Sequence, residues 1–243
     1  MILAQPKTRY SAFAVHLLIS IILFIFLAAI IRFIWYPGFL FQTDGGWQGI
    51  RLIAGVDFVL GPVLTLFVYK VGKPSLKLDL SVIAAIQIAA LTYGSWLVHQ
   101  ERPLAIVFTD GVIRTVSASI FNDEIAHEVL EKIQKIGQLP AWVYVKTPDI
   151  DAKEGGRLLD VSKNGLPHTR FHLYESFFDK KAEIKRNALT IEKQPKYKKV
   201  IEQAGENPIY VLKARFAYGL IELDAEELTE VNLHSMTFAL QDI

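Results

Sequence analysis

The sequence contains no cysteine. This absence excludes disulfide bonds, metal sites built from thiolates and cysteine nucleophiles, and it is compatible with every cellular compartment. A net charge is almost absent as well, because 26 lysine and arginine residues stand against 25 aspartate and glutamate residues and give a formal net charge of +1. No basic stripe is present, which argues against nucleic acid as the main partner.

Signatures of common enzyme sites are also missing. The sequence holds no phosphate-cradling glycine loop, no G-x-S-x-G and no H-E-x-x-H. A metal could use His168, His172 and Glu175, because their spacing of i, i+4, i+7 would place them on one helix face. Pro167 and Thr169 are unfavourable neighbours in a helix, so we interpret the three residues as a solvated surface and expect no metal.

Charge is scarce in the first part of the chain. Residues 100–243 carry charges throughout, as soluble domains do, and they are numerous enough for one domain. Residues 12–98 hold only eight charged side chains, which are Arg32, Asp44, Arg51, Asp57, Lys70, Lys73, Lys77 and Asp79. We therefore predict three N-terminal transmembrane helices followed by a soluble α+β domain.

The three predicted spans cover residues 12–35, 50–69 and 79–98, each about long enough to cross a bilayer. We expect the first span to be retained as a membrane anchor, because its apolar run is longer than the apolar core of a typical cleaved signal peptide. On it, His16 and Ser20 stand at i and i+4. In one interpretation the two residues form a polar seam between helices. In the plain interpretation, which we favour, Ser20 bonds to its own backbone and His16 lies near the cytoplasmic interface.

Basic residues predict the orientation of these spans. Residues 1–11 carry Lys7 and Arg9, and the loop 70–77 carries three lysines and no acid. Both segments are expected in the cytoplasm, since cytoplasmic loops of membrane proteins are enriched in lysine and arginine. Residues 100–243 then lie in the periplasm, and the chain is a multi-pass protein of the bacterial inner membrane.

The second span has two unusual features, an acid at Asp57 and the pair Gly61-Pro62. An ionisable group at membrane depth suggests a functional site, and a proline frees a backbone carbonyl and kinks a helix. The plain alternative is that Asp57 pairs with Arg51 or Arg32. The sharper hypothesis is that it meets a polar group on a partner helix.

In the soluble part, alternating and continuous apolar runs predict an α+β domain with a mostly antiparallel sheet. A helix is expected over 123–136, which Gly137 ends, and shorter helices over 153–163, 173–190 and 197–204. The predicted strands are 104–108, 112–117, 141–145, 209–216 and 218–223, and residues 227–233 are a further candidate.

Two stretches resemble the type IV pilin accessory proteins of the TfpX/TfpZ type. They are FLFQTDGGWQGIRLIAGVDFVLGPVLTLFVYK and LKLDLSVIAAIQIAALTYGSWLVHQERPLAIVF, which contain the patterns G-V-D-x-x-L-G-P and L-K-x-D-L-x-x-I-A-x-I-Q. The resemblance covers about the first 115 residues. It carries over six motif positions as candidate intramembrane or partner-binding residues, without assigning them roles: Gly55, Asp57, Gly61, Pro62, Asp79 and Gln87.

The resemblance implies an inner-membrane, chaperone-like protein specific for one type IV major pilin. Such a protein modulates pilus assembly. A second expected effect is on the balance of assembly and retraction, and hence on twitching motility. It implies no enzymatic activity and no cofactor. The expected partners are the cognate pilin, membrane lipid and, as a further candidate, the assembly machinery. The oligomeric state stays open.

Two other functions were weighed. A polytopic membrane enzyme or transporter component would use Asp57, Asp79 and Gln87 as a proton or substrate site, but no general base, nucleophile or metal set accompanies these residues. A sensor with a periplasmic ligand domain is the other candidate, but the sequence shows no cytoplasmic output module, which counts against it. A pilin gene beside this one would favour the accessory protein, whereas a pathway cluster would favour the enzyme.

Overall fold

The computed structural model of the chain describes residues 7–55, 60–121, 123–147 and 156–238. It divides into two compact units, Met1–Gln100 and Glu101–Ile243. We call them the apolar unit and the soluble-type unit.

The apolar unit is helical. Its first helix begins at Arg9 because Thr8 and Ser11 form a reciprocal cap, in which the Thr8 hydroxyl accepts a hydrogen bond from the Ser11 amide at 3.1 Å. A π-helical turn, Ile31–Trp35, continues that helix. The α-helices of the unit are α1 (Arg9–Ile30), α2 (Leu40–Thr43), α3 (Gly46–Ala54), α4 (Gly61–Val68) and α5 (Leu76–Gln100).

The prediction of three transmembrane helices is wrong. Among the described residues, two helices are long enough and apolar enough to cross a membrane, Arg9–Trp35 with 27 residues and Leu76–Gln100 with 25. The predicted span 50–69 is instead described as parts of α3 and α4, which have 9 and 8 residues, far fewer than the about 20 that a span needs. Gly61 and Pro62 open α4, where the missing amide proton of proline costs nothing, so apolar length alone was a misleading signal here.

Helices α1 and α5 run in the same direction. At their C-terminal ends, the Tyr36 hydroxyl donates a hydrogen bond to the Val98 carbonyl at 2.9 Å, and the rings of Trp35 and His99 lie 5.0 Å apart. Side chains from the first halves of both helices line one groove. The N-terminal ends of α1 and α5 therefore share one end of the unit, and their C-terminal ends share the other.

The soluble-type unit is built on a sheet with the order β4-β3-β1-β2-β5-β6-β7. Helix α6 (Asp123–Ile136) joins β2 to β3, and α7 (Gly156–Asn164), α8 (Lys181–Arg186) and α9 (Lys198–Ala204) lie between β3 and β5 in the sequence. The strands are β1 (Pro103–Thr109), β2 (Val112–Ser117), β3 (Ala141–Tyr144), β4 (Glu175–Ser176), β5 (Ile209–Lys213), β6 (Ala217–Leu223) and β7 (Glu230–Phe238).

The prediction of a mostly antiparallel sheet is also wrong, because the sheet is mixed. Strand β1 pairs in parallel with β3, and β2 pairs in parallel with β5. The other described pairings, β1–β2, β3–β4, β5–β6 and β6–β7, are antiparallel. Helix α6 joins β2 to β3, which lie on either side of β1 and run in opposite directions, so β3 is parallel to β1. Strand patterns predict which segments pair but not in which direction.

Apolar side chains cover both faces of the sheet. On one face, Val129 and Ile133 of α6 are fully buried against Val107 and Val143 of the central strands. On the other face, Phe108 packs against Tyr210 with ring centroids 5.5 Å apart. The soluble-type unit therefore has a core of its own, which is what defines a domain.

Candidate functional site: a groove in the apolar unit

A groove of about 680 Å³ lies between α1, α4 and α5. Its walls are mainly aliphatic. The apolar lining includes Val15, Ile19, Leu23, Leu76, Leu80, Ala84, Ile88 and Leu91. A concave apolar site with a few polar groups is the usual form of a ligand site, so this groove is the candidate functional site of the described residues.

The groove contains a polar pair. His16 Nδ1 on α1 lies 2.6 Å from Thr65 Oγ1 on α4, and Thr65 is only 3% exposed. Ser20, one turn further along α1, is also 3% exposed and lines the same groove. His16 thus forms a polar contact between helices rather than the plain arrangement that we favoured for it, whereas the burial of Ser20 does not decide between the two interpretations. Thr65 was missed, because a single threonine in an apolar run gives no signal of a partner 49 residues away.

Gly61 and Gln87 meet at the groove. A Cβ atom on Gly61 would fall 1.7 Å from Gln87 Nε2 and 2.5 Å from its Cδ. Glycine is therefore required for the Gln87 amide to lie against α4. Pro62 follows in the first turn of α4 and is buried. The structure brings together three of the six motif positions, Gly61, Pro62 and Gln87.

The other motif positions lie elsewhere or are not described. Among the described residues, a Cβ atom on Gly55 would meet no heavy atom within 4 Å, so the packing of those residues does not require glycine there. Asp79 sits in the first turn of α5, where it pairs with Lys73 Nζ at 2.7 Å and accepts a hydrogen bond from the Ser75 hydroxyl at 3.2 Å. Asp57 lies outside the described residues. Whether any of the six contacts a partner stays a prediction.

One end of the groove is basic. Lys73 and Lys77 line it near the start of α5, and both are solvent-exposed. Lys70 precedes them in the same loop and is exposed, but it does not line the groove. The groove therefore has an aliphatic interior, a polar pair part-way along and two ammonium groups at its rim.

The opposite end of the apolar unit is aromatic. The guanidinium of Arg51 lies 5.1 Å from the Trp47 ring centre, and that of Arg32 lies 5.2 Å from the Phe41 ring centre. Asp44, which is 3% exposed, accepts a hydrogen bond from the Thr43 hydroxyl at 2.6 Å. Cations over aromatic faces are typical of the membrane–water interface.

In the soluble-type unit, the histidines with metal-ligand spacing do not share a helix. His168 and His172 lie in two separate 3₁₀ turns, Glu175 is in β4, and its carboxylate pairs with Lys180 Nζ at 2.6 Å. Burial, together with the nearby Arg114 guanidinium, lowers the pKa of His168 to about 4, so this imidazole is neutral at pH 7. The described residues contain no group of three or more His, Cys, Asp or Glu able to hold a metal.

A second polar cluster links the last two strands. The Glu222 carboxylate accepts a hydrogen bond from Asn207 Nδ2 at 2.7 Å and lies 2.7 Å from His234 Nε2. Burial raises the pKa of Glu222, but the hydrogen bonds from Asn207 and His234 outweigh it, so the pKa lies below its ordinary value. Asn207 also accepts a hydrogen bond from the Ala225 amide at 3.1 Å. This cluster ties β6 to β7 and to the turn between them.

Comparison with known proteins decides the family. The chain is 36% identical over 115 residues to the fimbrial assembly protein of serogroups C1 and C2 of Dichelobacter nodosus. That match covers 46% of this chain and 87% of the relative. The chain belongs to the fimbrial assembly protein family.

Two further fimbrial assembly proteins of the same organism, from serogroups E1 and I, are each 33% identical over 129 residues. These matches cover 52% of this chain and 49% of each relative, so the chain spans about half the length of these two fimbrial assembly proteins. No family model matches the chain. No solved structure matches it either. The resemblance to pilin accessory proteins is thus supported at the level of fimbrial assembly, without the TfpX/TfpZ subtype.

Proposed function

We propose that the chain is a membrane-anchored accessory protein for assembly of type IV fimbriae and that it acts, in a chaperone-like way, on one major pilin. Its membership of the fimbrial assembly family carries this proposal. The chain divides into an apolar helical unit and a unit with its own core. This division supports a protein with one part in the membrane and one part outside it. The role is non-enzymatic and uses no cofactor.

The direction of the helices supports an orientation in the inner membrane. Helices α1 and α5 begin at the same end, close to Arg9 and to the lysines of the loop 70–77. Because basic segments favour the cytoplasm, we infer that the end of the unit with Arg9 and the loop 70–77 faces the cytoplasm and that Gln100 at the other end of α5 faces the periplasm. The chain then returns between the two ends through the short helices α3 and α4 rather than through one spanning helix. The aromatic cluster of Trp35, Tyr36 and Trp47 then lies at the periplasmic interface.

In this proposal the two units bind different parts of the pilin. A pilin subunit waits in the membrane as one apolar helix with a periplasmic head. The apolar unit offers helices to the pilin helix, and the soluble-type unit selects the head by surface complementarity. Helix α4 presents an unpacked face for this purpose, with Leu60 51% and Phe67 81% exposed.

The enzyme or transporter alternative receives no support from the described residues. Asp79 is engaged by Lys73 and Ser75 at the start of α5. Gln87 lies eight residues further along the helix, about 12 Å away at 1.5 Å per residue. These two polar groups therefore do not form a joint site.

Removing the soluble-type unit tests the proposal. A truncation that ends at residue 103 should still insert in the membrane, but it should no longer support surface fimbriae of the cognate pilin. Protease protection of a C-terminal tag checks insertion, and sheared surface fractions report fimbriae. Full fimbriation by the truncated protein would contradict the two-part model.

Photocrosslinking tests the partner directly. A crosslinking amino acid at Leu60 or Phe67 should capture the pilin in cells that express it, whereas the same group at the buried Thr65 should not. If the exposed positions capture only lipid while the protein still supports fimbriae, the pilin contact of α4 is wrong. A pilin gene next to this one in the genome would be independent support.

A further inference from the structure

We propose that the groove between α1, α4 and α5 binds one anionic phospholipid, with an acyl chain among its aliphatic side chains and the phosphate at Lys73 and Lys77. The inference requires insertion in a membrane but no pilin contact, because the proposed pilin contact is the opposite, exposed face of α4. The two proposals can therefore fail separately.

The interior of the groove suits an acyl chain. Its walls are aliphatic along two turns or more of both α1 and α5, and its volume is about 680 Å³. Two of the polar side chains that line the interior, His16 and Thr65, bond to each other at 2.6 Å. An apolar chain can lie beside this pair without leaving either of the two side chains unbonded.

The rim of the groove supplies the charge for a phosphate. Lys73 and Lys77 both line it, and Lys7, Arg9 and Lys70 lie at the same end of the unit. The described carboxylate at this end, Asp79, is taken by Lys73 at 2.7 Å. Among the described residues no carboxylate pairs with Lys77, so its ammonium group is available to an incoming anion.

Charge complementarity favours a lipid over a protein helix as the occupant. An apolar helix in the groove would bring no anion to the lysines, whereas a phosphate brings one. Basic pockets between membrane helices on the cytoplasmic side are known to take anionic headgroups. A zwitterionic lipid fits the apolar walls equally well, but it gains less at the rim because its own ammonium group faces the two lysines.

Lipid retention by the full-length protein tests the site. The protein is purified in a neutral detergent and mixed with equal amounts of phosphatidylglycerol and phosphatidylethanolamine, and bound lipid is counted by native mass spectrometry. The wild type should retain phosphatidylglycerol preferentially. Lys77→Gln should weaken that retention about fivefold, the effect of one basic residue near an anionic headgroup.

Two matched controls separate the groove from the surface. Lys70→Gln removes the same charge from the same loop but does not line the groove, so it should change retention little. Ala84→Phe fills the groove and should reduce retention of both lipids, whereas Ala85→Phe adds the same ring on an exposed part of α5 outside the groove. If Ala84→Phe fails to fold, the comparison of Lys77→Gln with Lys70→Gln still decides.

Three results would overturn the proposal. Equal retention of the two lipids by the wild type would mean that the lysines recognise no phosphate. An equal loss in Lys70→Gln and Lys77→Gln would assign the effect to general surface charge. Capture of the pilin by a crosslinking amino acid at Thr65, which lines the groove, would show that a protein helix occupies it.

Discussion

Gly61→Ala tests how the apolar unit is held together. The added Cβ atom would lie 1.7 Å from Gln87 Nε2, and non-bonded heavy atoms need about 3.5 Å. The Gln87 side chain must therefore swing away from α4. Gly55→Ala is the natural control, because a Cβ atom there meets no described residue within 4 Å and the backbone is already helical with φ −60° and ψ −41°.

Two opposing terms set the size of the effect. Alanine is favoured over glycine in a helix by about 0.5–1 kcal/mol. Forcing an extra carbon into a packed site costs about 1–3 kcal/mol. We therefore expect Gly61→Ala to destabilise the apolar unit by about 0–2.5 kcal/mol, toward the lower end because the clashing atoms are the end of the flexible Gln87 side chain, and Gly55→Ala to stabilise it by about 0.5–1 kcal/mol.

The clash should vanish when its partner is removed. In a Gln87→Ala background, Gly61→Ala has room for its methyl group and should become stabilising. The sign of the effect therefore reverses between the two backgrounds, which gives a double-mutant cycle with a coupling energy of about 1–3 kcal/mol. The gain in helix propensity is the same in both backgrounds, so it cannot by itself reverse the sign of the effect.

The absence of cysteine provides the assay. A single reporter cysteine at Ala12, which is 5% exposed, becomes reactive toward a fluorescent thiol reagent only when the apolar unit opens. Heating the full-length protein in one detergent then gives a melting curve for this unit alone. A change of 1 kcal/mol moves the midpoint of a unit of this size by about 4–8 °C. Equal shifts from Gly61→Ala in both backgrounds would refute the contact with Gln87.

Three further predictions concern other contacts. Tyr36→Phe should destabilise the apolar unit by about 1 kcal/mol in the same assay, because it removes the hydrogen bond to the Val98 carbonyl. Arg170→Met should lower the stability of the soluble-type unit by about 3 kcal/mol, read as a lower urea midpoint in pulse proteolysis, because Arg170 is 4% exposed and holds Asp160 and the Gly165 carbonyl. Glu222 has a pKa below its ordinary 4.5, so its stabilisation should be present above pH 4.5 and lost as the pH falls below it; Glu222→Gln should flatten this part of the pH profile.

The elements of the soluble-type unit follow well from the sequence. The predicted strand 112–117 is β2 and the predicted helix 123–136 is α6, with identical bounds. Periodic apolar residues define such segments locally. The segment 173–190 was predicted as helical, but it forms short turns, β4 and the six-residue α8. Its charged, irregular pattern contains no apolar period that could have indicated its fold.

Contacts between distant residues could not be predicted in the same way. The bond between His16 and Thr65 joins residues 49 positions apart, and both lie in runs that read simply as apolar. The parallel pairing of β2 with β5 joins strands separated by about 100 residues in this chain and depends on how the intervening helices return. Such pairings are set by tertiary packing, which local patterns do not encode.

The two sequence patterns that suggested a pilin accessory protein meet at one contact. G-V-D-x-x-L-G-P spans residues 55–62 and L-K-x-D-L-x-x-I-A-x-I-Q spans residues 76–87. Gly61, near the end of the first pattern, makes room for Gln87, the last residue of the second. Asp79, within the second pattern, fixes the start of α5 through Lys73. Gly61, Asp79 and Gln87 thus shape the helix packing of the apolar unit, and among them Gln87 also lines the groove.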